Sequence, residues 1–342
     1  MTATTSDRTV DTQFRHLAVF YDTGQDYLDQ VGRFVERGLA AGEPVLVAVP
    51  AARLRMLRRA LDGAADAVTF TDMQDLGRNP ARIIPAIRRF TDAHPGRTRF
   101  VGEPIWAGRT EAETREATRH EALINAAFRG VPTTILCPYD RACLASQTLD
   151  QAYETHPQIA AHGKPGPSQA YSGIDLALAI GGEPQPPAPA DAAVLSYQRG
   201  NLPLVRRFAR DCASRAGLAG QGRDDLVIAV HELAANTIAH ADGHGTLRIW
   251  TEQERLVCEI TDTGHISDPL AGRLSSRPEE GGHGLRVVHQ VCDLVEVRSG
   301  SFGTNIRVYR DLASGNGPGR KADLRRLNGL SQHEHPLLGC TR

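Results

Sequence analysis

The stretch from Asp224 to His240 constrains this chain more than any other. Leu226, Ala229, Val230, Leu233 and Thr237 recur at three- and four-residue steps and line one face of a helix. Asp224 and Asp225 suit its entry, because carboxylates favour the positive N-terminal end of a helix. Glu232, Asn236 and His240 stand four residues apart on a second stripe, along the border of the apolar face. A carboxylate and a carboxamide one turn apart also suit a solvated helix edge, so the helix alone decides nothing.

Three later stretches narrow the reading. Asp262-Thr263-Gly264 follows an alternating strand, Leu256 to Thr261. Gly281-Gly282-His283-Gly284-Leu285 opens an apolar-periodic helix through Val287, Val288 and Val291, and Gly303-Thr304 turns into a closing strand, Asn305 to Tyr309. Asp-x-Gly and Gly-x-Gly are each common turn chemistry. Their order and spacing behind the Glu232–His240 stripe are specific. On these residues the second half resembles the Bergerat-fold (GHKL) ATP-binding family, which includes gyrase and the histidine kinases. The Glu-x-x-x-Asn-x-x-x-His helix and the compact form look most like the anti-sigma-factor serine kinases.

That resemblance implies ATP and Mg2+ as cofactors and assigns roles to residues. Asp262 would accept the adenine amine, with Gly264 leaving room for the base beside it. Asn236 would give Mg2+ a neutral oxygen, as that ion prefers. Glu232 matches the general base that takes a proton from the attacking hydroxyl or water. Gly282 and Gly284 precede a helix whose free N–H groups favour phosphate oxygens. Leu285 and Thr304 complete the ATP-binding set. The 17 residues between Gly264 and Gly282, with Pro269, Gly272 and Arg273, would form a lid. Arg273 there reads equally as a phosphate contact or a solvated charge. Ile266 departs from the family's second loop glycine, and His283 stands where arginine is frequent. His240 is expected to close the helix or pack beneath the site.

The first half alternates strands and helices, beginning Leu17 to Tyr21, Asp26 to Ala41 and Pro44 to Val49. Continuous apolar strands separated by amphipathic helices indicate a parallel sheet covered on both faces, an α/β doubly wound domain. His16, Gly102-Glu103-Pro104-Ile105-Trp106, His120-Glu121-Ala122-Leu123 and Cys137-Pro138-Tyr139-Asp140 resemble the MEDS sensory domain, a RecA-like module. No Gly-x-x-x-x-Gly-Lys-Ser/Thr run is present, so nucleotide hydrolysis is not expected in this half. The loops Gly102–Gly108 and Cys137–Arg141 lie where such sheets bind ligands; Trp106 and Tyr139 there serve a small-molecule sensor site or merely cap the core. The expected division is a disordered segment at 1–14, a MEDS-like domain at 15–162, a Pro/Gly-rich linker at 163–195 in which Ile174 to Ile180 suit a short helix or strand, a Bergerat-fold α/β sandwich at 196–312, and a flexible tail at 313–342.

A formal net charge of −1 suggests neither a nucleic-acid partner nor an anionic membrane. The first residues are polar, and no apolar run reaches the roughly 20 residues that span a bilayer. The six cysteines form no Cys-x-x-Cys pair, which favours buried thiols in a reducing cytoplasm over a disulfide framework or zinc site. The expected function is that of an ATP-dependent serine/threonine kinase that phosphorylates an anti-anti-sigma antagonist, binds a sigma factor and takes input from the first half. Dimerisation through the ATP-binding domain is a family implication. Two alternatives are a non-catalytic ATP-gated binding module and a sensor histidine kinase. The latter needs a phosphoacceptor hairpin where the linker lies, and His120 is expected to be an ordinary surface histidine.

Overall fold

The computed structural model describes residues 14–161, 164–274 and 283–312. The first half is built on strands β1 (Arg15–Tyr21), β2 (Val45–Val49), β3 (Val68–Asp72), β4 (Thr98–Gly102), β5 (Thr133–Asp140), β6 (Gln158–Ala161) and β7 (Lys164–Pro167). They lie in the order β3-β2-β4-β5-β1-β6-β7, parallel except for β7. Every residue of β2 is buried, and the reason is visible in its neighbours. Leu46 and Ala48 join one core with Phe100 and Ile135, whereas Val45, Val47 and Val49 join another with Val101 and Leu136. Alternate residues point to opposite faces, so an unbroken apolar strand needs helices on both.

Those helices are α1 (Gly24–Tyr27), continued by a π-helical turn at Leu28–Gly32 into α2 (Arg33–Ala40), then α3 (Ala51–Leu61), α4 (Met73–Leu76), α5 (Ile83–Ala93), α6 (Glu111–Ala127) and α7 (Ser146–Thr155). A Thr110–Glu113 capping box starts α6. From Glu116 to Ile124 every residue of α6 is buried, charged ones included. The second half explains why.

That half comprises α8 (Ile174–Gly182), β8 (Ala193–Gln198), α9 (Leu202–Arg215), α10 (Gly220–His240), β9 (His244–Glu252), β10 (Arg255–Asp262), α11 (His283–Val291), β11 (Leu294–Gly300) and β12 (Gly303–Asp311). Its antiparallel sheet runs β11-β12-β10-β9-β8. Helices α9, α10 and α11 cover one face through Val205, Leu226, Val230, Leu233 and Val288 against Leu247, Ile260 and Val308. The other face carries Trp250, Val257, Leu294 and Tyr309 and meets Ala112, Ala188 and Ala192. Helix α6 therefore lies between two sheets. The doubly wound α/β domain and the α/β sandwich are the fold class that the sequence implied.

Local differences have physical causes. The stretch 163–195, expected as a linker, holds β7, α8 and the start of β8. Ala177 and Ile180 bury α8 against the body of the protein, and Gly181 lets Arg119 approach, since a Cβ there would lie 3.2 Å from Arg119 Nη2. Helix α10 starts at Gly220, a turn before the expected entry, because Asp225 is held inside it by Gln221 (2.7 Å) and Arg310 (3.5 Å). Phe14 stacks on Phe128 at 6.1 Å; the rest of the expected disordered segment and the tail from 313 onward lie outside the described residues. Among the described residues no helix is long and apolar enough to cross a membrane.

Candidate functional site

The expected adenine carboxylate is anchored from beneath. Thr237, on the buried stripe of α10, donates to Asp262 Oδ2 at 2.6 Å and receives the Tyr197 hydroxyl at 3.0 Å. The Gly264 N–H donates to Asp262 Oδ1 at 2.9 Å. Burial pushes the Tyr197 phenol up to about 12, so it remains a donor. Two glycines permit this packing. A Cβ on Gly245 would meet the Tyr197 hydroxyl at 2.6 Å, and Gly303, at φ +95°, would bring one within 2.2 Å of the Asp262 carbonyl oxygen. Thr304 Oγ1 donates to the Gly264 carbonyl at 2.8 Å, tying β12 to the turn. Ile266 does not disrupt the loop; it packs on the core, and its N–H donates to Ser299 Oγ at 2.9 Å.

The other end of the site is formed where α10 meets α11. A Cβ on Gly284 would lie 2.8 Å from Glu232 Oε2 and 3.4 Å from both side-chain polar atoms of Asn236. The structure thus brings Glu232, Asn236 and Gly284 together at the N-terminal end of α11, with Leu285 buried below. Among the described residues neither Glu232 nor Asn236 has a side-chain hydrogen bond or ion pair. Both side chains stand at the start of a helix, where the first N–H groups have no partner within the helix itself. This donor set suits Mg2+, which takes a few protein oxygens and keeps its other ligands. His283 is exposed and accepts from Arg286 at 3.1 Å. His240 is exposed and closes α10, its carbonyl oxygen near Gly264. Gly282 lies outside the described residues.

Arg273 is neither a phosphate contact nor a solvated charge. It is 2% exposed and meets Glu116 Oε2 of α6 at 3.1 Å. Glu116 Oε1 takes Arg298 at 2.6 Å, and Arg119 stands 3.7 Å from Oε2. Burial opposes the Glu116 charge, but Arg298, Arg119 and Arg273 together hold its carboxyl below the usual range. Leu270 and Leu274 pack on the core of the first half. At the far end of α11, Asn79 Nδ2 and Arg82 Nε donate to the His289 carbonyl at 3.0 and 2.9 Å, and Arg82 Nη2 donates to that of Cys292 at 2.6 Å. A cation there complements the negative end of the helix dipole. The first half therefore grips both the segment after Ile266 and the helix that would carry the phosphates.

Residues 15–157 match the family model described as MEDS, the methanogen/methylotroph, DcmR sensory domain, and residues 195–310 match that of the histidine kinase-like ATPase domain. The chain joins a MEDS domain to a histidine kinase-like ATPase domain. No curated protein matches it.

Within the MEDS domain, Tyr139 is a core residue packed on Phe20, and Trp106 lies on the same core with the Arg109 guanidinium 3.8 Å over its ring. The polar group at the carboxyl edge of the sheet is a different one. Tyr21 donates to Glu103 Oε1 at 2.9 Å, and Arg53 pairs with Asp140 at 3.0 Å beneath the rings of Tyr21 and Tyr27. Burial pushes Glu103 up to about 7, against the Tyr21 hydrogen bond and the Arg53 charge. His120 is not a surface histidine: it is fully buried, and burial lowers it to about 3. That position excludes it as an accessible phosphoacceptor.

Sequence reasoning missed Tyr197, Gly245, Glu116, Asn79, Arg82 and Arg298. Arg298 and Glu296 alternate with valines in β11, a pattern that ordinarily signals a solvated face. Here it signals the interface between the domains.

Proposed function

We propose that this protein is an ATP- and Mg2+-dependent serine/threonine kinase of the partner-switching kind, which phosphorylates an anti-anti-sigma antagonist and holds a sigma factor. The observation that carries the reading is Glu232 Oε2 abutting Gly284, one helical turn from Asn236. A module that only binds ATP needs no carboxylate at the phosphate end, whereas transfer to a hydroxyl does. Asp262 and the Thr237 and Gly264 groups that orient it would select adenine. Asn236 would hold Mg2+, and the N–H groups at the start of α11 would face the phosphates. Glu232 would take the proton of a serine hydroxyl as its oxygen bonds to the γ-phosphorus and the bond to the β–γ bridging oxygen breaks, leaving ADP. The MEDS domain would bias this reaction through its two grips, Glu116 on Arg273 and Arg82 on the end of α11.

The test is transfer from γ-labelled ATP with Mg2+, with and without candidate antagonist proteins, beside Glu232→Ala and Asn236→Ala. Acid-stable label on an antagonist serine, lost in both variants, is expected. Acid-labile label on the protein itself would make it a histidine kinase. ATP binding without transfer would make it a nucleotide-gated binding module.

A further inference from the structure

The MEDS domain gathers four side chains that neither the ATP site nor the interdomain grips employ. His16 stands on β1, Cys137 on β5 beside it, Glu121 on α6, and His156 just past α7. All four are buried, and their ligand atoms lie within 4.8 Å of one another. His16 Nε2 is 3.1 Å from Glu121 Oε2 and 3.4 Å from Cys137 Sγ. Glu121 Oε2 is 3.4 Å from both Cys137 Sγ and His156 Nε2. The edges of a tetrahedron with zinc–nitrogen and zinc–oxygen bonds of about 2.0–2.1 Å and a zinc–sulfur bond of about 2.3 Å are of this size, roughly 3.3–3.6 Å.

The placement of protons is the sharper clue. Asn125 Nδ2 faces the backbone carbonyls of Glu121, Ala122 and Thr155 at 3.3, 3.2 and 2.8 Å, which fixes its Oδ1 as an acceptor. That oxygen lies 3.1 Å from His16 Nδ1, so the ring proton sits on Nδ1. His156 Nδ1 lies 2.9 Å from the Ala152 carbonyl oxygen, which only accepts, and so carries its proton on the same side. In both neutral rings Nε2 then presents a lone pair to the Glu121 carboxylate, itself an acceptor. The Cys137 thiol has one proton for this whole set. Among the described residues, Glu121 Oε1 and His156 Nε2 have no hydrogen-bond partner. Making both rings imidazolium would set two cations against one carboxylate, with ring centroids 4.0 Å apart. With both rings neutral, the dry site is lined by facing lone pairs that one cation at its centre would satisfy, and histidines steered through Nδ1–H to carbonyl oxygens are oriented as metal ligands are.

We propose that His16, Glu121, Cys137 and His156 form a tetrahedral site for a single zinc-class divalent ion. Thiolate and imidazole donors disfavour Mg2+ and Ca2+, which want oxygen. Four protein ligands with no exposure leave no open position for water, so the site is closed and clamps β1, β5, α6 and α7 together. Binding displaces one proton, from the Cys137 thiol. The cysteine spacing pointed away from zinc because the ligands are scattered along the chain and meet only in the folded domain.

The full chain, produced with zinc supplied, is analysed for metal by mass spectrometry, then stripped under denaturing chelation and refolded with Co2+. One zinc per chain that survives dialysis is expected, as is a cobalt form showing tetrahedral d–d bands and a thiolate-to-cobalt charge-transfer band. Cys137→Ser should abolish the charge-transfer band and weaken retention. Where that variant fails to fold, the wild-type spectrum and zinc-dependent thermal stabilisation decide alone. Absence of retained metal together with an aquo-ion cobalt spectrum overturns the proposal, as does a charge-transfer band unchanged in Cys137→Ser.

Discussion

Arg273 of the ATPase domain and Glu116 of the MEDS helix α6 form an ion pair of 3.1 Å in which both side chains are buried. The same carboxylate meets Arg298 at 2.6 Å and lies 3.7 Å from Arg119. Glu116, with Glu296 at 2.9 Å from Arg298, thus faces a group of guanidiniums at the seam of two domains. Removing a single partner of a buried ionic group typically costs about 3–5 kcal/mol, because the remaining charge stays desolvated. Glu116→Gln should therefore lower stability by about that much and split one cooperative urea transition into two, read by calorimetry and intrinsic fluorescence. A single transition at the wild-type midpoint would show that the cluster does not join the domains.

Asp262 should govern nucleotide affinity without governing the fold. Its carboxylate is held by Thr237 at 2.6 Å and by the Gly264 N–H at 2.9 Å. Asp262→Asn keeps the shape but offers adenine a misplaced amide, and a buried polar group left unpaired costs about 1–3 kcal/mol. ATP affinity should fall roughly 10- to 100-fold by calorimetric titration. Thr237→Val should produce a smaller loss, since it only frees the carboxylate to turn. Equal ATP affinity in Asp262→Asn and wild type would remove Asp262 from the adenine site.

Gly284→Ala should separate folding from the proposed transfer. The atom nearest to an added Cβ is Glu232 Oε2, at 2.8 Å, the far end of a movable side chain. Gly284→Ala should leave the melting temperature nearly unchanged while pushing Glu232 and Asn236 aside. Displacement of a reacting group by an ångström costs on the order of 100-fold in rate. The expected signature is a transfer rate lowered about 10- to 100-fold at saturating ATP. Unaltered turnover would argue that Glu232 is not the base.

The legible and illegible residues differ in the range of their causes. The β2 and β5 runs and the Leu226–Thr237 stripe follow from local periodicity, so the centre of the first sheet and α10 could be read directly. Asp262, Gly264, Glu232 and Asn236 could be named because their spacing repeats a family pattern, and the structure does bring Glu232 and Asn236 to Gly284. The burial of Arg273 is not legible in the sequence because its partner, Glu116, is 157 positions away and on another domain. His16, Glu121, Cys137 and His156 were individually visible, yet no periodicity connects two strands, a helix and a helix end. The 163–195 stretch looked like a linker by composition, but the packing of Ala177 and Ile180 overrides it.

Glu103 should make stability fall as pH rises. In the folded protein its carboxyl is raised from 4.5 to about 7, chiefly by burial. The groups around it are Tyr21 of β1, Tyr27 of α1, Arg53 of α3 and Asp140 of β5. Below the unfolded value both states hold the proton, and the stabilisation is fully present. Between that value and about 7 the folded state keeps a proton that the unfolded chain has released, so each step up in pH favours unfolding. Above that window the loss is complete. Glu103→Gln, which mimics the protonated side chain, should match wild type at about pH 4 and exceed it by about 1–3 kcal/mol at about pH 8 in chemical denaturation. Using the difference between the two proteins cancels the titration of every other group. A difference independent of pH would mean that the Glu103 carboxyl titrates alike in the folded and unfolded protein.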